Sequence, residues 1–139
     1  MNERYLLDTN VLSELCRPAP DAAVIDFVGS LDQFWLSVIT LHELRYGVEL
    51  LAQNNKRHQL ELALSALTRG YESQVLAVDI GTAELATSYR GTARKAGSTL
   101  NLADSLIAAT AIAADGLVAA TRNIKDFKNC PVTCHNPFT

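Results

Sequence analysis

Four acidic residues of this 139-residue chain stand at comparable points in its pattern, and their chemistry depends on whether they meet. Asp8 follows the apolar run Tyr5-Leu6-Leu7 and precedes a helical stretch. Glu43 follows the aromatic and β-branched run "FWLSVI" (34–39), in the first turn of a helix expected to begin near Thr40. Asp104 falls in the first turn of an alanine-rich helix, after Asn101, and Asp126 follows a strand ending at Thr121, in "TRNIKDF". Each has an ordinary explanation. First-turn acids are favoured by the helix dipole, by about 0.3–1 kcal/mol each. Thr40-Leu41-His42-Glu43 reads as a capping box, and Asn101 to Asp104 resembles the same device. Taken singly, each acid is a better cap than ligand.

Taken together they say more. Several carboxylates converging on one point repel one another unless a cation sits among them. Oxygen-only donors suit Mg²⁺ or Mn²⁺. Such a set can activate a water and neutralise charge on a phosphate under in-line attack.

The elements that must position these acids alternate between strand and helix, the signature of an α/β domain with a largely parallel sheet. Strands are expected over 4–7, 34–39, 75–78 and 117–121, with a weak fifth near 131–134. Helices are expected over about 10–16, after an Asp21 cap, and over 41–53, 57–69, 82–96 and 102–115. In open α/β sheets, ligands bind beyond the carboxyl ends of the strands, where strand order reverses. Asp8, Glu43 and Asp126 all lie just past such ends, and Asp104 heads the helix leading into the fourth strand.

Bulk properties exclude several classes. With 48% hydrophobic and 19% charged residues the chain reads as one soluble globular domain over 1–139. No apolar stretch approaches the roughly 20 residues of a membrane span, and no secretory signal is seen, so a cytoplasmic protein is expected. The net charge of −3 argues against a module that binds nucleic acid by charge alone. Cys16, Cys130 and Cys134 cannot all pair with one another and lack the spacing of a complete zinc site. His42, His58 and His135 share no spacing that points to catalysis.

The blocks "LLDTNVLSEL", "LSVITLHELRYGVE", "LADSLIAATA" and "TRNIKDF", with "NPF" near the C-terminus, resemble the PIN-domain ribonucleases, in particular VapC and FitB-like toxins of type II toxin–antitoxin modules. The resemblance implies a three-layer α/β/α fold around a mainly parallel sheet of four to five strands. It implies metal-binding acids at Asp8, Glu43 and Asp104, with Asp126 as the fourth and Asn123 assisting. It further implies Mg²⁺ or Mn²⁺, an RNA substrate, a homodimer, a VapB/FitA-like antitoxin and operator DNA reached through that antitoxin. Thr9 and Thr121 are placed to hydrogen-bond the acids or water, and Arg45 and Arg122 to meet phosphate or balance charge. Arg90, Arg94 and Lys95 form a basic stripe, more simply read as a solvated helix face.

Two other readings compete. An aspartate-nucleophile phosphatase needs a second Asp two residues after the first, where this chain has Asn10. A catalytically silent interaction module, acting only through a partner, would have no use for the acidic set.

Overall fold

The computed structural model describes residues 3–139. Strand β1 (Tyr5–Leu7) is short and pairs in parallel with β4 (Val118–Ala120). β4 in turn pairs with β5 (Cys134–His135), also in parallel. On the other side β2 (Leu36–Ser37) pairs with β3 (Val75–Leu76). Trp35 joins the two halves: its N–H donates to the Tyr5 carbonyl and its carbonyl accepts from Leu7, each at 2.9 Å. The sheet therefore runs β3-β2-β1-β4-β5, wholly parallel, and strand order reverses between β1 and β4.

Alternation along β1 sets the layers. Leu6 and Leu7 are both fully buried but point to opposite faces. Leu6 packs with Ile107, Ala108, Ala111, Leu117 and Phe127, beneath α6 (Leu102–Ala113). Leu7 packs with Val11 and Leu12 of α1 (Thr9–Leu15) and Val24 of α2 (Ala22–Gly29). This is the expected three-layer α/β/α arrangement. The alanines of α6 serve close approach on both sides: Ala108 and Ala111 meet the sheet, while Ala109 meets Ala86, Tyr89 and Ala93 of α5 (Ile80–Lys95). Gly97, at φ +83°, ends α5 by letting the Ser98 N–H turn back to the Ala93 carbonyl at 3.0 Å.

One boundary departs from expectation. Val38 and Ile39, expected to end the strand over 34–39, instead open the first turn of α3 (Val38–Glu49). Ser37, not Thr40, is the cap, its hydroxyl accepting the Ile39 N–H at 3.1 Å. Helix propensity differences among such residues are only a few tenths of a kcal/mol, so a good cap and a buried position for Thr40 override them. Glu43 consequently lies in the second turn of α3, and the capping box does not form. The helix of 41–53 likewise ends at Glu49, and α4 starts at Asn55 (Asn55–Gly70).

A buried arginine closes that helix pair. Arg57 donates to the Leu51 carbonyl at 3.0 Å and to Glu61 at 2.8 Å, and pairs with Glu49 at 3.3 Å. It thereby caps the open end of α3 from within α4. No helix is long and apolar enough to cross a membrane among the described residues.

The position of Ile107 between α6 and the sheet yields a stability test. Ile107→Ala should lower the unfolding free energy by about 2–5 kcal/mol in urea titration, with little change in the denaturant slope. A cost well below 1 kcal/mol would mean that α6 is not packed on the sheet as described.

Candidate active site

The site is built where strand order reverses, from the ends of β1 and β4. Asp8 caps α1 through its Oδ1, which accepts the Thr9 N–H at 2.8 Å. Its Oδ2 accepts the Thr121 hydroxyl at 2.8 Å and the Asn10 amide at 3.1 Å. The capping reading of Asp8 is thus realised on one oxygen, while the other is held by groups from α1 and the end of β4. The residue is only 5% exposed. Burial pushes its carboxyl above the usual range, repulsion from Glu43 adds to this, and the three donated hydrogen bonds oppose it.

Asn10 is a positioning residue that the sequence analysis did not assign. Besides Asp8, its amide donates to Thr121 at 3.2 Å, and its carbonyl accepts the Arg122 N–H at 3.0 Å. Thr121, fully buried, also accepts the Asn123 N–H at 3.0 Å. Asn10 and Thr121 lock the two strand ends together behind Asp8. An Asn two residues after an acid is compatible with many local turns, so its cross-sheet role has no short-range signal.

Glu43 approaches from α3. Its Oε1 accepts the Thr9 hydroxyl at 2.6 Å, and the Thr40 hydroxyl lies 3.3 Å from that of Thr9. Asp104 stands in the first turn of α6, with Asn101 as the helix cap. The Asn101 carbonyl oxygen accepts the Asp104 N–H at 2.8 Å and its amide donates to the Asp104 carboxylate at 2.9 Å. Asp126 is exposed on a 3₁₀ turn, Ile124–Phe127, whose last residue Phe127 is anchored in the core.

These acids feel one another. The Asp104 carboxyl is pushed up to about 6, first by burial and then by the charges of Asp8, Asp126 and Glu43. All four predicted acids therefore share one field. Among the described residues, none of them takes part in an ion pair. Nor do three or more His, Cys, Asp or Glu side chains there form a group able to hold an ion as they stand. Asp8 has its oxygens turned to donors, and Glu43 is turned to Thr9. The donor chemistry nonetheless fits a divalent cation: oxygen only, acidic, and without a balancing lysine or arginine.

The remaining candidates separate. Arg45 reaches away, donating to Ser65 of α4 at 3.1 Å. Arg122 is exposed and sets its guanidinium over the Phe138 ring, 4.8 Å from the centroid. Arg94 and Lys95 lie exposed on α5, and Arg90 is tied to the Leu100 carbonyl at 3.3 Å. His42 stacks on Tyr46 with centroids 6.5 Å apart. The three cysteines are free thiols, and burial together with neighbouring charge holds that of Cys134 up at about 11.

Two grooves border Glu43. One, of about 480 Å³, runs between α1, α3 and α4 past Thr9, Leu44, Val48, Leu60 and Leu64. The other, of about 600 Å³, lies between α3 and α6 and is lined by Ile39, His42, Tyr46, Leu102 and Leu106. Glu43 thus stands between two largely apolar grooves.

Residues 5–131 match the PIN domain family, which places all four acids inside the matched region. The chain belongs to the PIN-domain family. Among its relatives it is 36% identical over 136 residues to Toxin FitB of Neisseria gonorrhoeae, covering 96% of this chain and 97% of that protein. It is 31% identical over 136 residues to a VapC ribonuclease of Sinorhizobium fredii, covering 96% of each. Its structure superposes on that of FitAB bound to a DNA fragment with a TM-score of 0.88, at 33% identity, covering 97% of this chain and 96% of that one.

The raised Asp104 carboxyl gives this PIN domain a defined pH signature. A folded-state value near 6 against an ordinary 3.8 means the folded chain holds a proton that the unfolded chain has lost. This contribution is fully present below about pH 4 and is lost as pH rises through about 6. Without divalent metal, Asp104→Asn should therefore gain in melting temperature relative to the parent as pH rises through that window. A difference between the two that stays flat from pH ~4 to ~7 would contradict the shared field.

Proposed function

We propose that this PIN domain is a metal-dependent endoribonuclease and the toxin of a VapBC/FitAB-type toxin–antitoxin pair. The observation that carries the reading is the shared field of four carboxylates from four separate segments, felt at Asp104 and met by no ion pair among the described residues. Asp8, Glu43, Asp104 and Asp126 would hold the ion, of the Mg²⁺ or Mn²⁺ class. When bound, that ion supplies an activated water and neutralises charge developing on the phosphate.

The chain's own residues do the rest. Asn10 and Thr121 hold the Asp8 carboxylate rigid, so its oxygens need little reorganisation. Asn101 steadies the Asp104 carboxylate from the helix cap. Asn123 and Arg122 stand exposed beside the β4 end, where a phosphate backbone would pass. Arg45, engaged by Ser65, is left out of this set.

The partners follow from the relatives. FitAB was solved on DNA, and FitB is named a toxin, so an antitoxin of the FitA/VapB kind is the partner we assign, with operator DNA reached through it. The grooves flanking Glu43 offer places for its chain, and exposed Tyr46, Leu50 and Leu102 offer apolar surface for a homodimer. The working compartment under this reading is the cytoplasm. A second reading, a silent module acting only through its antitoxin, is favoured by one observation alone: the acids do not close on an ion as they stand.

Cleavage of total RNA with Mn²⁺ or Mg²⁺ separates the two. Asp8→Ala and Asp104→Ala should each cut activity at least ~100-fold and abolish growth arrest while retaining cooperative melting, and chelation should do the same to the parent. Full-rate cleavage by the Asp8 variant, or by the chelated parent, would sink the assignment.

A further inference from the structure

Thr40 is the one polar side chain of α3 that is fully buried and faces the acidic centre without belonging to it. Its hydroxyl lies 3.3 Å from the Thr9 hydroxyl, which in turn lies 2.6 Å from Glu43 Oε1. A hydroxyl has one proton and two lone pairs. The shorter contact is a charge-assisted bond to a carboxylate, so the Thr9 proton is committed to Glu43. Thr40 must then be the donor to Thr9. We propose that Thr40 is a positioning residue, the root of a two-hydroxyl relay that sets the orientation of Glu43 through Thr9.

The proposal deepens the nuclease reading and rests on it, since it concerns how the second acid is aimed. At 3.3 Å the Thr40 contact is long for a hydroxyl pair. Its effect is therefore directional. A free Thr9 hydroxyl rotates between Glu43 and other acceptors, whereas one that already accepts from Thr40 has its proton turned outward. The relay also crosses between helices: Thr9 opens α1, while Thr40 and Glu43 belong to α3 and lie less than one turn apart. Register between α1 and α3 is thus converted into a carboxylate orientation. Threonine is the residue that offers a hydroxyl there within a shape close to valine, filling the buried site equally well.

That near-identity of shape makes the test clean. Thr40→Val keeps the volume and removes the hydroxyl, whereas Thr40→Ser keeps the hydroxyl and removes a methyl. Titration of the whole metal-free protein with Mn²⁺ by calorimetry, beside RNA cleavage, reads both. Partners lying behind metal ligands typically alter affinity or activity ~10–100-fold. Thr40→Val should weaken Mn²⁺ binding about tenfold and slow cleavage comparably, with Thr40→Ser within about twofold of the parent. Thr9→Val should be at least as impaired, and adding Thr40→Val to it should cost nothing more, because the relay passes through Thr9.

Equal Mn²⁺ affinity in Thr40→Val and parent overturns the relay, as does a loss in Thr40→Ser that matches the loss in Thr40→Val, which marks a packing role. If Thr40→Val does not fold, Thr40→Ala removes the hydroxyl without added bulk and is judged by the same criterion. A parent protein that binds no Mn²⁺ fails earlier, sinking the nuclease reading and the relay with it.

Discussion

Everything at the carboxyl end of this sheet is organised around like charges brought close together in a partly buried place. Carboxylates so placed raise one another's proton affinity or draw in a cation, because desolvation removes the screening that water would supply. The chain bears this cost at Asp104, whose carboxyl is lifted to about 6, and more mildly at Asp8. Hydrogen bonds from Asn10, Thr121, Thr9 and Asn101 offset part of it without cancelling any charge. Cationic partners are spent elsewhere: Arg57 on the α3–α4 pair, Arg17 on Glu14, Arg45 on Ser65. Among the described residues, no ion pair balances this field.

The topology explains why these four acids lie at the same edge of the sheet. Parallel strands send successive chain segments out at the same edge, and the reversal of order between β1 and β4 opens a crevice there. Asp8 is delivered by β1 and Asp126 by the turn after β4, while α3 and α6 lower Glu43 and Asp104 from the helical layers. The small residues of α6 are a condition of this. Ala108, Ala109 and Ala111 are fully buried and let α6 lie close to the sheet and to α5 at once. A bulkier face would lift the helix and carry Asp104 away from Asp8.

How much of this was legible in the sequence depended on the reach of each interaction. Asp8 and Asp104 were readable because the features that place them, a buried strand end and a helix cap, lie within three residues. The parallel sheet followed from the alternation of strand and helix patterns, and the three-layer arrangement from the family resemblance. α3 starts two residues before the expected Thr40, since Val38 and Ile39 carry strand-like side chains and the cap that decides the matter is a single serine hydroxyl. With it went the capping-box reading of Glu43, which the structure replaces by a bond to Thr9. Asn10 and Thr40 act across 111 and 31 residues of chain, so no local pattern could flag them. Arg45 sits next but one to an acid in sequence, yet the helical turn sends it to α4.

The four acids are also held to very different degrees. Asp8 is sunk to 5% exposure with donors on both oxygens, so it is a fixed point. Asp104 is half-buried and steadied by one amide. Asp126 is exposed, on a turn anchored by its neighbour Phe127 and by the Asn123 N–H on Thr121. Under the metal-site reading proposed above, Asp8 would offer the most fixed oxygens and Asp126 the most exposed. The fold thus concentrates its hydrogen bonding at the end of β1 and leaves Asp126 open to solvent.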